Sequence, residues 1–352
     1  MRCNVLIDNL GLEFARKEID CARNSGRLLT LDIELSRQCN FKCIYCYSNA
    51  GHPLADELNF EQISSTILQG KCLGAKKIII VGGGEPLIYP HLKEIIDVIR
   101  NNGMKAVVFT NGTNLDPALA KFFYMRQVAI VLKMNSMNPS IQDYLCGIHG
   151  TSAIIDNALN NLFDVGYPGN DHMLGIASVI CRYNCNEIAD LWRWARQKNI
   201  VPYIETLTPQ GRGKSEDLSV DKQTLKHVFE NLSSIDSREF SISWDSIHPP
   251  LAGLSCLRHL YSCYVKSDGS IQPCAGIEIS TGNVKNSSLE GILSNSPIMK
   301  DMKNIDYLVK GKCKTCNLNP DCYGCRGGAF QSTGDYLAED PLCWYQDAYE
   351  EK

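Results

Sequence analysis

Three cysteines, Cys39, Cys43 and Cys46, lie close together in residues 31–47, just after a strand-like run. Their spacing is C-x3-C-x2-C, and Tyr45 stands directly before the last of them. Thiolates are the usual protein ligands of iron–sulfur clusters, and three on one short loop can hold three irons of a 4Fe-4S cluster. The fourth iron would then stay open for a ligand that is not protein.

A zinc site is the alternative interpretation of this loop. Zinc prefers four ligands, and His52, six residues after the last cysteine, could supply the fourth. The spacing of the cysteines alone does not decide between zinc and a cluster.

A second motif, GGGEP, ends the next strand-like run. Its glycines, Gly82, Gly83 and Gly84, would let the backbone approach a ligand closely. Glu85 offers an acceptor for an ammonium group, and its charge disfavours a phosphate. Alone this motif is a weak signal, because most glycine-rich turns bind nothing or bind a phosphate.

Eight of the 17 cysteines lie in the last hundred residues. They are Cys256, Cys263, Cys274, Cys313, Cys316, Cys322, Cys325 and Cys343. The odd total argues against complete disulfide pairing, and short repeated spacings are typical of metal or cluster ligands. Eight thiols allow either two zinc sites or two 4Fe-4S clusters.

The elements that must position these motifs alternate between strand and helix from residue 28 onward. Helix starts are predicted at Asn59 with Gln62 as a capping box, at Asp116 before a proline, and at Asn184 with Glu187. The predicted strands are 28–35, 77–81, 107–110, 128–134, 174–180 and 201–207. Six β-then-α units predict a parallel sheet in a partial (β/α)6 barrel. The motifs follow its strands, at the carboxyl ends where such sheets carry their chemistry.

Composition and charge exclude several function classes. The chain has 352 residues with 35 basic and 39 acidic side chains, a net charge of −4. We therefore expect no nucleic-acid partner. We also expect no membrane span or secretory signal, and hence a cytoplasmic location. The predicted regions are an N-terminal extension (1–27), the barrel (28–215), a bridging helix region (216–250) and a cysteine-rich domain (251–352).

Together these features resemble the radical S-adenosylmethionine (radical SAM) enzymes over about residues 28 to 345. The resemblance implies that Cys39, Cys43 and Cys46 hold a 4Fe-4S cluster whose open iron binds S-adenosylmethionine. It also implies roles in binding that cofactor. These fall to Gly82, Gly83, Gly84 and Glu85 at the amino group, Tyr45 near the adenine, and Ser136 after the fourth strand at the ribose. A simple turn serine is the alternative for Ser136.

The C-terminal cysteines resemble the SPASM domain of such enzymes, which carries two auxiliary clusters, so that three 4Fe-4S clusters are expected. That resemblance assigns Cys256, Cys263, Cys274 and Cys325 to the first auxiliary cluster. It assigns Cys313, Cys316, Cys322 and Cys343 to the second. The chain departs from the usual pattern in having two residues, not three, between Cys322 and Cys325.

The resemblance implies reductive cleavage of S-adenosylmethionine to a 5′-deoxyadenosyl radical, which removes a hydrogen atom from substrate. The electron would come from a reductant such as ferredoxin or flavodoxin. We expect a maturase acting on a ribosomally made peptide, with a small-molecule dehydrogenase or epimerase (sugar, cyclitol or nucleoside) as the alternative. Sulfatase maturation is disfavoured because Ala275 stands where that subfamily has an acid. A non-catalytic iron–sulfur or zinc module is the third hypothesis.

Six cysteines remain outside these ligand sets. They are Cys3, Cys21, Cys72, Cys146, Cys181 and Cys185. Free cysteines most often act as small buried hydrophobic residues, and a hydrogen-atom donor at Cys185 is the sharper alternative. Glu205 and Arg212 flank the end of the sixth strand, where they could meet a substrate or form a surface salt bridge.

Overall fold

The computed structural model describes residues 14–214, 216–247, 250–254 and 256–345. Cys3 and the first part of the predicted N-terminal extension lie outside these ranges. The strands are β1 (Thr30–Glu34), β2 (Lys77–Val81), β3 (Lys105–Thr110), β4 (Ala129–Lys133), β5 (Leu174–Ile180), β6 (Val201–Thr206), β7 (Ser262–Val265) and β8 (Ile271–Gln272). All six predicted strands are thus confirmed, with ends shifted by at most two residues.

The helices of the first two thirds of the chain alternate with the strands. They are α1 (Arg16–Ser25), α2 (Phe60–Cys72), α3 (Leu92–Asn101), α4 (Pro117–Met125), α5 (Pro139–Cys146), α6 (Thr151–Asp164), α7 (Ile188–Gln197) and α8 (Lys222–Glu239). Short helices dominate the remainder: α9 (Leu289–Asn295), α10 (Pro297–Lys303), α11 (Ile305–Leu308), α12 (Gly311–Thr315) and α13 (Arg326–Thr333). Single 3-10 turns span Pro86–Ile88, Gly211–Lys214, Glu216–Leu218 and Arg258–Leu260.

Within the described residues the strands form one open sheet in the order β6-β5-β4-β3-β2-β1-β7-β8. Neighbouring strands run parallel, except β8, which pairs antiparallel with β7. The predicted partial barrel is confirmed, and two strands from the cysteine-rich region extend it beyond β1. The domain division at residue 250 remains a prediction, since β7 and β8 share the sheet of the preceding region.

The sheet separates two apolar layers. Ile78 and Ile80 of β2 pack with the helices on the outer face, whereas Ile79 between them faces the inner cluster. This alternation follows from the two-residue period of a strand. Packing in the outer layer holds the strands in place, and the loops described below follow the carboxyl ends of these strands.

The predicted helix starts have two different outcomes. Asn59 and Gln62 form the reciprocal capping box, and the Asp116 side chain accepts a hydrogen bond from Leu119 N–H, so both of these predictions are confirmed. The prediction that Asn184 caps a helix is wrong. Its amide oxygen accepts from Cys181 N–H, so the side chain turns to the end of β5. The helix α7 starts at Ile188 without a side-chain cap.

In the described part of the chain, no helix has both the length and the apolar character needed to cross a membrane.

Candidate active site and cluster sites

The three-cysteine loop follows β1 at the carboxyl edge of the sheet. Backbone N–H groups approach two of its sulfurs: Phe41 N lies 3.5 Å from Cys39 Sγ, and Ala50 N lies 3.5 Å from Cys46 Sγ. Burial raises the pKa of Cys39 to about 12, with smaller contributions from Glu85 and from the thiols of Cys43 and Cys46. Coordination to a metal centre deprotonates such thiols, so this crowded set of sulfurs fits a cationic cluster.

Arg212 follows β6, the strand at one edge of the sheet, and forms hydrogen bonds to this loop. Its Nε donates to Cys43 O at 2.8 Å, and its Nη1 donates to Ala50 O at 2.8 Å and to Asn49 Oδ1 at 3.0 Å. The Arg212 backbone N–H donates to Cys46 O at 2.9 Å. The sequence placed Arg212 near the site but did not reveal that its partners are backbone oxygens of the cysteine loop.

The glycines of the GGGEP motif fill a narrow passage beside the same loop. A Cβ atom on Gly84 would lie 1.9 Å from Gln38 O, and one on Gly83 would lie 2.6 Å from the Glu34 carboxyl group. A Cβ on Gly82 would lie 2.7 Å from Gly84 O. Only glycine therefore lets this segment run so close to the residue that precedes Cys39.

Glu85 points into the protein and joins the ends of two strands. Its Oε1 accepts from Leu87 N–H at 2.9 Å and from the Thr110 hydroxyl at 2.5 Å, and its Oε2 accepts from Asn111 N–H at 2.7 Å. Burial raises its pKa to about 7 despite these hydrogen bonds. A carboxylate has about four acceptor positions, so one is left for an ammonium group.

Tyr45 lies in a buried polar cluster behind the cysteine loop. Its hydroxyl accepts from Asn135 Nδ2 at 2.7 Å and lies 3.9 Å from Cys146 Sγ. The Cys146 thiol raises the pKa of Cys43, and burial raises it as well. Sequence reasoning treated Cys146 as an ordinary core cysteine, because no local pattern indicates that the end of α5 contacts the cluster loop.

Ser136 follows β4 and is buried. Its hydroxyl donates to the Glu187 carboxylate and accepts from Asn138 N–H at 2.9 Å. The ribose-binding role implied by the resemblance stays a prediction, and Glu187 is the residue that would orient this hydroxyl.

Lys133 and Glu205 form an ion pair between the carboxyl ends of β4 and β6. Lys133 Nζ lies 3.6 Å from Glu205 Oε1 and 5.2 Å from the centre of the Tyr45 ring. Lys133 was not among the predicted site residues. The other candidates lie elsewhere: His52 is exposed, and the Cys185 thiol contacts Arg182 O at 3.7 Å.

The four cysteines predicted for the second auxiliary cluster line one cavity. They are Cys313, Cys316, Cys322 and Cys343. Asp340 lies beside them: its N–H approaches Cys313 Sγ at 3.5 Å and its Oδ2 accepts from Cys325 N–H at 2.6 Å. Fully buried Arg326 donates to Ala338 O and to Tyr336 O at 3.1 Å, with Nη2 3.8 Å from Cys313 Sγ. The four thiols thus line one cavity, and Asp340 and Arg326 contact one of them, Cys313.

The predicted first auxiliary set is not brought together in full. Burial raises the pKa of Cys274 to about 12, with a further contribution from the Cys256 thiol. The pKa of Cys325 is raised by burial, then by Asp340, and then by these same two thiols. Cys263 instead lies in the apolar layer between sheet and helices. Its position in β7 directs the side chain to this layer, and its predicted role as a cluster ligand stays a prediction.

Two family models match the chain. The radical SAM superfamily matches residues 33–191, and an iron–sulfur cluster-binding domain, SPASM, matches residues 256–325. The chain belongs to the radical SAM superfamily. It is therefore an enzyme that uses 4Fe-4S clusters and S-adenosylmethionine. This finding favours clusters over zinc and an enzyme over a non-catalytic binding module.

Relatives of known activity match nearly the whole chain. The AdoMet-dependent heme synthase of Methanosarcina barkeri is 27% identical over 92% of this chain and 97% of its own length. The mycofactocin maturase MftC of Mycolicibacterium smegmatis is 23% identical over 90% of this chain and 82% of its own. The structure of Streptococcus suis SuiB bound to precursor peptide SuiA superposes with a TM-score of 0.71 at 17% identity, covering 94% and 79% of the two chains.

Proposed function

We propose that this chain is a radical SAM oxidoreductase that removes a hydrogen atom from a ribosomally made peptide. The observation that carries the chemistry is the hydrogen bond of 2.9 Å from Glu85 N–H to Gln38 O. It joins the GGGEP motif to the residue before Cys39, so the two motifs form a single site at the carboxyl edge of the sheet.

The protein residues supply binding and positioning at this site. Bound S-adenosylmethionine, once reduced, supplies the hydrogen-abstracting species. Arg212 would keep the cysteine loop in place, the glycines would admit the cofactor, and the last acceptor position of Glu85 would take its ammonium group. A one-electron donor such as ferredoxin or flavodoxin is the expected partner.

Support for a peptide substrate comes from the maturases among the similar proteins. The similarity to the mycofactocin maturase extends over most of both chains. SuiB, which shares this fold, has been solved with its precursor peptide bound. A peptide also offers charged groups that could replace one partner of the half-buried Lys133–Glu205 ion pair at the strand ends.

A second candidate is a carboxylate-bearing small molecule. The heme synthase of Methanosarcina barkeri favours it, because the similarity extends over 97% of that protein. Lys133 supports it too, since its ammonium group lies at the strand ends and could bind a substrate carboxylate.

The chemistry is tested first by anaerobic reconstitution and reduction with dithionite. We expect about twelve irons per chain, as three 4Fe-4S clusters require, and formation of 5′-deoxyadenosine that is lost in Cys43→Ala. Absence of 5′-deoxyadenosine from the fully loaded protein would contradict the proposed chemistry.

The substrate class is tested by following deuterium into 5′-deoxyadenosine. A deuterated extract of the source organism is split by size, and the peptide fraction is assayed before and after protease digestion. Protease-sensitive deuterium transfer from that fraction supports a peptide. Transfer only from the small-molecule fraction supports the second candidate and rejects the first.

A further inference from the structure

Tyr264 of β7 places a hydroxyl group from the cysteine-rich region on the inner side of the sheet. The residue pairs with Asp32 of β1, and its side chain is buried. Its hydroxyl donates to Glu34 Oε1 at 2.6 Å and lies 2.8 Å from the Tyr47 hydroxyl. Burial and the nearby Glu34 side chain raise the pKa of Tyr264 well above its ordinary value, so the hydroxyl keeps the proton that it donates.

The Tyr47 hydroxyl continues this network to the glycine motif. Tyr47 directly follows Cys46 of the cluster loop, and its hydroxyl donates to Gly82 O at 2.5 Å. The next residue, Ser48, donates its hydroxyl to Gly83 O. Two consecutive side chains of the cluster loop thus bind two consecutive carbonyl groups of the motif that is expected to bind the amino group of S-adenosylmethionine.

Glu34 lies against the same motif from the side of β1. A Cβ on Gly83 would lie 2.6 Å from the Glu34 carboxyl group, so this group leaves no space beside the motif backbone. Its Oε2 accepts from Ser267 N–H at 3.1 Å, in the turn between β7 and β8. The cysteine-rich region therefore supplies two donors, Tyr264 Oη and Ser267 N, that hold Glu34 next to the glycine motif.

The glycine motif depends on these contacts for its shape. Glycine has no side chain that would restrict its backbone, so the orientation of the Gly82 and Gly83 carbonyl groups is set by hydrogen bonds from outside the motif. Tyr47 is only half-buried, and the Tyr264 hydroxyl contacts it from the β7 side. Loss of that hydroxyl would leave the buried Glu34 Oε1 without this donor, which is costly, and would free Tyr47 to move away from Gly82.

We propose that Tyr264 is a positioning residue for S-adenosylmethionine. Its hydroxyl holds Tyr47 and Glu34, and these two residues hold the glycine motif in the form that accepts the cofactor. The cysteine-rich region thus acts on the cofactor site through one hydroxyl group, in addition to its cluster sites. This inference rests on the proposed binding of the cofactor at the glycine motif, and it is independent of the substrate class.

The test measures the dissociation constant of S-adenosylmethionine for the fully loaded, oxidised protein by anaerobic equilibrium dialysis without substrate. Tyr264→Phe removes only the hydroxyl group, and we expect the dissociation constant to rise roughly tenfold with unchanged iron content. Tyr167→Phe is the matched control, because Tyr167 is equally buried and donates a hydrogen bond of 2.6 Å to Val128 O, at the opposite end of the strands. It should bind the cofactor like the wild type.

Tyr47→Phe removes the same contact from the other side and should also raise the dissociation constant roughly tenfold. The Tyr47→Phe/Tyr264→Phe double variant should raise it by less than the product of the two single effects, because both act through Gly82. A general weakening of the core at Tyr264 would instead multiply the two effects, and that result would overturn the proposal.

Glu85→Gln separates this inference from the proposed cofactor site. A raised dissociation constant in Glu85→Gln, with wild-type binding in Tyr264→Phe, would overturn the positioning role alone. Wild-type binding in Glu85→Gln would overturn the cofactor site and the positioning role together. If Tyr264→Phe loses iron, Tyr47→Phe decides the question, and wild-type binding by that variant overturns the proposal. An equal effect of Tyr167→Phe would also overturn it, because loss of any buried tyrosine hydroxyl would then suffice.

Discussion

Arg212 Nε donates a hydrogen bond of 2.8 Å to the backbone oxygen of Cys43. Arg212 follows β6 and Cys43 follows β1, and these strands have four others between them in the open sheet. The contact therefore bridges the mouth of the partial barrel. It gives the cysteine loop a support that does not depend on its own short sequence.

Replacing Arg212 should loosen the cluster loop. Arg212→Ala removes three side-chain hydrogen bonds to residues 43–50, each worth roughly 1 kcal/mol or more. We expect 5′-deoxyadenosine formation to fall by roughly tenfold or more, with iron lost from this site. Lys214→Ala is the control, because Lys214 is exposed in the same 3-10 turn. Equal activity of the two variants would show that Arg212 does not position the loop.

Glu85 should make the stability of the cofactor-free protein depend on pH. Burial raises the pKa of this carboxyl from 4.5 to about 7. The folded state therefore binds the proton more tightly than the unfolded state, and the stabilisation present below pH 4.5 is lost as pH rises to about 7. The free energy of unfolding should fall by up to about 3 kcal/mol over this interval.

Urea unfolding of the wild type and Glu85→Gln between pH 4 and 8 measures this effect. The difference between the two proteins should change with pH, because glutamine does not titrate. Glu230→Gln, on the exposed face of α8, serves as the control and should give a pH-independent difference. A pH-independent difference for Glu85→Gln as well would mean that its pKa is not raised.

Local signals in the sequence predicted the six parallel strands and two of the three proposed helix starts. The capping box of α2 needs only Asn59 and Gln62, three residues apart, and the structure contains it. The strand β7 was missed, because the short segment Ser262–Val265 pairs with β1, far away in the sequence. Cysteine spacing likewise gave no information on the face to which Cys263 points. That face is set by strand register, which depends on tertiary pairing.

The same limit explains the active-site residues that were missed or misplaced. Cys146 reaches the cluster loop because α5 packs against it, with Lys42 N–H donating to Cys146 O at 3.1 Å. Asn184 has a good capping sequence but its amide bonds Asn135 O at 2.8 Å instead. In both cases a partner distant in sequence determines the contacts that the residue makes.

Asp236 should be essential for attaching α8 to the barrel. Its buried carboxylate accepts from Trp192 Nε1 at 2.7 Å, Trp244 Nε1 at 2.9 Å and Arg196 Nη2 at 2.9 Å. Asp236→Asn leaves the Arg196 charge buried without a counterion, which costs about 3–5 kcal/mol. Glu239→Gln breaks only the surface ion pair with Arg193 and should cost less than about 1 kcal/mol. Urea unfolding compares them, and similar losses would contradict this account.

The contact between Gly276 and Gly327 should control whether the first auxiliary cluster forms. A Cβ on Gly327 would lie 2.9 Å from Gly276 Cα, so these two backbones touch just after Cys274 and Cys325. Gly327→Ala must push the segments apart, at a cost of about 1–3 kcal/mol, and should remove about four irons per chain. Gly51→Ala, where a Cβ meets nothing within 4 Å, should keep all the iron. Full iron content in Gly327→Ala would show that the two cysteines tolerate this displacement.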